Sequence, residues 1–242
     1  MKEGFKKFGF TLAEVIIVIG IIGMIAEMTI PNLVQGVKKQ EYATRLQKVY
    51  TTFNQALIKM AADKGCIGDL ACTGIFQGTN AQTYDEITPY FRIVKSCRDT
   101  ACGVSNVAIR YDNTTRIGTT NITPSFIMAD GTHVAIERAN LFSDNCDDNL
   151  STPGIQNAYS KTCAMLTIDV NGPTKQPNTF GRDVFYFFIT SGRGPQLAPF
   201  GGKDSIATTY WNDGTSPSCV DSNKDGNTCS ARIMDDGWVM KY

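Results

Sequence analysis

Histidine is almost absent from this chain, His133 being the only one in 242 residues, and none of the eight cysteines belongs to a C-x-x-C pair. The usual zinc-ligand sets therefore cannot form. Net charge is also absent: lysine plus arginine and aspartate plus glutamate number 23 each, which gives no electrostatic bias toward nucleic acid or an anionic surface. A nucleic-acid partner is not expected. Catalytic signatures are missing as well. No G-x-S-x-G elbow and no H-E-x-x-H occur. The glycine- and proline-rich run ending in Gly202-Lys203 has Leu197 and Asp204 where a Walker A loop needs glycine and then serine or threonine. His133 reads as an exposed hairpin residue with no nucleophile and carboxylate close to it in the sequence. An enzyme is not expected.

What the chain does have starts at its beginning. Lys2, Lys6 and Lys7 precede an apolar run from Phe10 to Ile30, 21 residues or roughly 31 Å as a helix, which matches a hydrocarbon core of about 30 Å. Glu14 stands inside that span, where an uncompensated carboxylate costs about 2.5–3.5 kcal/mol or more. It needs a partner. Thr11-x-x-Glu14 is itself a capping box, in which both side chains satisfy free amides at a helix start. Two plainer readings compete. A secretory signal peptide with Val15 to Ile25 as its apolar core has Glu14 beside that core and no small-x-small site before Pro31. A simple membrane anchor leaves Glu14 unexplained.

Gly9-Phe10-Thr11-Leu12-x-Glu14 followed by an unbroken apolar helix resembles the type IV prepilin signature, shared by type IV pilins and type II secretion pseudopilins. The resemblance implies a leader over 1–9 cut after Gly9, and Phe10 as the N-methylated mature start. Glu14 becomes an assembly residue that pairs with the freed amine of a neighbouring subunit, and Pro31 a helix kink. It implies a transmembrane and assembly helix over 10–34 and an extracytoplasmic pilin-like domain over 35–242. The function implied is that of a structural subunit of a type II secretion pseudopilus or a type IV pilus. Its partners would be other pilin-like subunits, a prepilin peptidase that also methylates, an inner-membrane assembly platform and an assembly ATPase. The reading from another class is a membrane-anchored extracytoplasmic binding or enzymatic domain outside any filament.

Beyond Pro31, Tyr42, Leu46, Val49, Tyr50, Phe53, Leu57 and Met60 recur at three- and four-residue steps while charged and polar residues fill the other face. One helix from about Phe10 to Asp63, ended by Gly65, is expected. Strand signals follow at Val107 to Tyr111, Ser125 to Met128, His133 to Glu137, Ala164 to Val170 and Val184 to Thr190, with Asp130-Gly131 joining two of them as a hairpin. The expected fold is α+β: a long N-terminal helix packed on an antiparallel sheet, as in pilins, stapled by disulfides.

All eight cysteines, at Cys66, Cys72, Cys97, Cys102, Cys146, Cys163, Cys219 and Cys229, lie beyond the apolar helix. This distribution points to disulfides in an oxidising compartment, with nearest-neighbour pairing the simplest of 105 connectivities. Together with Lys2, Lys6 and Lys7 it orients the chain as a single-pass protein of the bacterial cytoplasmic membrane, N-terminus inside and bulk outside, against a weaker opposing signal from Lys38 and Lys39.

Two acidic loops are candidates for a cation. Asp221-x-Asn223-x-Asp225-Gly226-Asn227 reproduces the first half of an EF-hand calcium loop, but Arg232 occupies the twelfth position, where a bidentate glutamate should stand. Asp235, Asp236 or a distant carboxylate would have to complete it. Major pseudopilins bind calcium in a C-terminal loop, and the resemblance directs attention here, although the pattern departs from theirs. The second loop, Asp169-Val170-Asn171-Gly172-Pro173 through Asn178-x-x-Gly181-Arg182-Asp183, resembles a loop of pseudopilin-like proteins. Asp169, Asn171 and Asp183 are donors a hard cation accepts. The simpler reading is that they hold turns through their own backbone bonds.

Overall fold

The computed structural model describes residues 9–100, 102, 107–109, 116–118, 124–137, 146–147, 157–203, 219 and 226–242. The chain divides into two compact units, Met1–Gln40 and Glu41–Tyr242. One helix, α1 (Leu12–Asp63), belongs to both.

α1 runs through Pro31 without ending there. Proline has no N–H, so the Glu27 carbonyl loses its partner four residues on. Just before it, the Thr29 hydroxyl donates back to the Ile25 carbonyl at 2.9 Å and to that of Ala26 at 3.5 Å. The helix stops where the sequence says it should. Gly65 adopts φ +72°, Cys66 N donates to Ala61 O at 2.7 Å and Gly65 N to Ala62 O at 3.0 Å. These are the two bonds of a Schellman motif, which needs a left-handed residue at that point.

The second unit is built on a six-stranded antiparallel sheet. Its strands are β1 (Ile93–Cys97), β4 (Ser125–Met128), β5 (His133–Glu137), β6 (Thr162–Asp169), β7 (Val184–Thr190) and β8 (Gln196–Pro199), and that is also their spatial order. β2 (Val107–Ile109) and β3 (Arg116–Gly118) form a separate two-stranded ribbon, so the strand expected at Val107 to Tyr111 exists outside the main sheet. The Asp130-Gly131 hairpin joins β4 to β5 as expected, with Thr132 N donating to Asp130 Oδ1 at 3.1 Å. β1 and β8 are the edges, and the β1–β4 register slips between Ile93 and Lys95.

The second part of α1 lies on one face of this sheet. Leu46, Val49, Phe53, Leu57 and Met60 form a single buried cluster with Phe126, Val134, Ile136, Leu166, Ile168, Phe185, Phe187 and Leu197. Alternation along the strands puts those sheet residues on one side. Each fully buried side chain of this size contributes about 1.5–3 kcal/mol. Directional contacts fix the packing: Phe53 meets Phe91 at 4.4 Å between ring centroids, Leu197 N donates to Asn54 Oδ1 at 2.7 Å, and Lys48 pairs with Asp130 at 3.0 Å. A second helix, α2 (Asn80–Ile87), opens with a Thr79/Gln82 capping box. The last, α3 (Cys229–Asp235), is pinned to the sheet by Ser230 Oγ, which donates to Tyr186 O at 2.7 Å.

The cysteines pair with their nearest neighbours: Cys66 with Cys72, Cys97 with Cys102, Cys146 with Cys163 and Cys219 with Cys229. None is left free.

Candidate functional site

The first part of α1 is the most distinctive surface of the chain. Gly9 and Phe10 precede the helix and are exposed, and residues 1–8, the leader expected from the resemblance, lie outside the described residues. Thr11 and Glu14 then close a complete capping box. Thr11 N and Thr11 Oγ1 both donate to Glu14 Oε2 at 2.8 Å, and Glu14 N donates to Thr11 Oγ1 at 3.2 Å. A cap of this kind stabilises a helix start by about 1 kcal/mol. The Glu14 carboxylate is thus hydrogen-bonded within its own chain, consistent with the capping reading of the sequence.

Every large apolar side chain from Phe10 to Val37 is between 44% and 87% exposed. Soluble monomers rarely expose contiguous apolar patches above a few hundred Å². The helix is long and apolar enough to cross a membrane. Glu27, one turn before Pro31, is a second carboxylate in the apolar run that the sequence reading passed over; its signal is simply its charge.

In the second unit, the β6–β7 connection holds Asp169, Asn171 and Asp183, all buried. The turn reading is observed. Asp169 Oδ1 accepts from Asn171 N at 3.2 Å and Gly172 N at 2.9 Å, and Asp183 accepts from Asn178 N at 2.9 Å and Thr179 N at 2.7 Å. Gly172 has φ +91°, and a Cβ there would lie 2.6 Å from the Gly131 carbonyl oxygen, so the turn also seats against the β4–β5 hairpin. Burial pushes the Asp169 carboxyl up to about 7, with the Asp183 charge adding to it and the two backbone bonds opposing. Burial raises Asp183 as well, against the hydrogen bonds from Thr179, Asn178 and Asn171. Asn178 was named in this loop but not among its expected donors; its place in the N-x-x-G-x-D spacing was the available signal.

For the EF-hand-like loop, Asp221, Asn223 and Asp225 lie outside the described residues, while Asn227 is half-buried at the start of the turn into α3. The Cys219–Cys229 disulfide brackets this loop, and Gly226 N donates to Cys219 O at 3.0 Å. Arg232 sits in α3 with its guanidinium 5.0 Å over the Tyr242 ring, and Asp236 pairs with Lys241 at 3.0 Å. Among the described residues no group of three or more histidine, cysteine, aspartate or glutamate side chains is arranged to hold a metal.

His133 departs from expectation. It is 7% exposed instead of lying open on the hairpin, and burial pushes its imidazole down to about 4. The reason is register: Val134 and Ile136 face α1, so His133 points to the opposite face, where it pairs with the buried Asp169 of β6 while Ala135 and Glu137 on the same face stay half-buried. Comparison with protein-family models, with curated proteins and with solved structures finds no match for this chain.

Proposed function

We propose that this chain is a prepilin-like subunit, cut after Gly9 and assembled through its apolar helix into a type II secretion pseudopilus or a type IV pilus. One observation carries the reading: a single helix is bare and apolar over its first part and forms the buried spine of a disulfide-stapled antiparallel sheet domain over its second. Apolar helices without a fold of their own to cover them are stable in lipid or against one another. The prepilin signature at Gly9, Phe10 and Glu14 supplies the route from one environment to the other.

In this reading the function is physical assembly without substrate turnover. The leader keeps the N-terminus in the cytoplasm until the peptidase removes it. The freed amine at Phe10 then pairs with Glu14 of an adjacent subunit in a low-dielectric bundle, where an unpaired carboxylate is costly. Charge pairing sets the axial register, while the domain beyond Gln40 stays outside the cytoplasm, where its four disulfides form.

The deciding experiment is intact mass and N-terminal sequencing of membrane-purified protein, with and without a co-expressed prepilin peptidase. A terminus at Phe10 carrying one methyl group is expected. An uncut Met1, or a cut beyond Ile30, refutes the proposal and favours an anchored or secreted disulfide domain.

A further inference from the structure

Between Phe10 and Gln40 only four side chains are charged: Glu14, Glu27, Lys38 and Lys39. The capping box, and after cleavage the Phe10 amine, account for Glu14. Glu27 has no such role. It stands 17 residues beyond Phe10, roughly 26 Å along the helix, and so inside the far margin of a hydrocarbon core of about 30 Å. Glu27 and Lys38 are both exposed, and among the described residues neither side chain forms an ion pair or a hydrogen bond.

α1 carries both residues without a break. They are 11 positions apart, close to three full turns, which sets them within about 20° of each other around the helix and roughly 16.5 Å apart along it. Lys39 falls about 120° away from Glu27. Within one chain the carboxylate and the Lys38 ammonium therefore share a face but cannot meet. Gly20, Gly23 and Val34 lie on that same face, within about 40° of Glu27. A Cβ at Gly20 or Gly23 would meet nothing within 4 Å, so no contact inside the chain calls for glycine there. Small residues of this kind let the backbones of neighbouring membrane helices approach closely.

This strip is its own complement once it is displaced. Two copies inserted in one membrane run parallel, and a shift of roughly 16.5 Å along the axis sets Lys38 of one level with Glu27 of the other. Each copy then offers Glu27 to one neighbour and Lys38 to another, a head-to-tail contact that propagates. The shift exceeds the roughly 6 Å that brings Phe10 of one copy level with Glu14 of the next, so the two pairs join different neighbours. In lipid Glu27 reaches headgroup water within a few Å. Once apolar helices enclose it, that water is gone, and the flexible stem of Lys38 supplies the missing cation.

We propose that Glu27 and Lys38 form a second ion pair between copies of this chain, offset from one another by about three helical turns. The pair rests on the assembly reading given above and adds to it a contact that the freed N-terminus does not supply. It also rejects wrong registers. An offset of seven residues sets Glu27 against Val34 and leaves both charges unpaired among apolar side chains, which is costly.

The test uses the full chain, expressed with a prepilin peptidase, an assembly platform and an assembly ATPase. E27K and K38E each set like charges together and should lower the assembled fraction by about tenfold or more, whereas E27K/K38E restores opposite signs and should recover it to within about twofold of wild type. Membrane fractionation and N-terminal sequencing check that every variant is inserted and cut after Gly9. The second measurement is chemical cross-linking. The native cysteines are all paired, so an E27C/K38C chain carries just two free thiols. A bismaleimide should join its assembled copies into a ladder of multimers, while E27C or K38C alone should stop at the dimer. A charge swap as defective as the single variants, normal assembly of E27K and K38E where E14A fails, or the absence of a ladder each overturns this pairing and leaves the assembly reading standing. A wild-type chain that stays monomeric overturns both.

Discussion

Removing the disulfides should cost this domain nearly all of its stability, and in a definite order. The four bridges join residues separated by 6, 5, 17 and 10 positions, and no loop encloses another. On the chain-entropy account these closures contribute roughly 2, 2, 3 and 3 kcal/mol, together about 10. A typical domain has a net stability of about 5–15 kcal/mol. Full reduction should therefore bring the domain to the edge of unfolding. The order follows from access. Cys72 is exposed, whereas Cys146 and Cys163 are 0% exposed and part of the core. Thiol–disulfide exchange requires direct attack on a sulfur, so Cys66–Cys72 opens first and Cys146–Cys163 only after the domain loosens. Stepwise reduction, alkylation and peptide mass mapping read the order. Urea unfolding of paired alanine variants reads the energies. C146A/C163A should lose about 3 kcal/mol from loop entropy, plus a cavity term. Mapping in which Cys146–Cys163 opens first, or a C146A/C163A variant less destabilised than C66A/C72A, would refute the reasoning.

Other perturbations have equally definite outcomes. Phe53 is fully buried, its ring tilted against Phe91, so F53A should destabilise the domain by about 3–5 kcal/mol in chemical unfolding. E14A removes one helix cap, worth about 1 kcal/mol, so processing and folding should survive while incorporation into filaments falls; normal incorporation would sink the pairing scheme. His133 titrates at about 4 when folded against 6.5 as a free group, so the unfolded chain binds more protons between those values. Its contribution is complete above about pH 6.5 and is lost as the pH falls toward 4, about 3 kcal/mol in all. Asp169, raised to about 7, acts with the opposite sign over much of this window. The measurement is therefore the difference between wild type and H133Q in urea unfolding across pH, and a difference that stays constant would contradict the buried imidazole.

The elements with one dominant signal were legible. β4, β5 and β7 were read to the residue, the helix end at Gly65 was set by glycine at a left-handed position, and the cysteines paired as their spacing suggested. β1 and β8 were not expected, for reasons that belong to edges. Ile93-Val-Lys-Ser-Cys97 is exposed over most of its length and so carries no alternation, and β8 is four residues long and ends in Pro199. The burial of His133 was invisible because it depends on the neighbours that pairing with β6 brings to the far face of the sheet. The β6–β7 loop was half legible: its turn formers announced a turn, but the orphaned oxygens of Asn171 and Asn178 emerge only once the donors around them have been assigned.

The sheet's two rims matter beyond this fold. An open rim is a row of unpaired amides that invites strands from other molecules, a hazard for any protein that is crowded against copies of itself. Here one rim is interrupted by a register slip beside Lys95, and the other ends in Pro199 with the Leu197 amide already taken by Asn54 from α1. Such blunting discourages runaway sheet growth and, under the assembly proposed above, leaves self-association to the apolar helix.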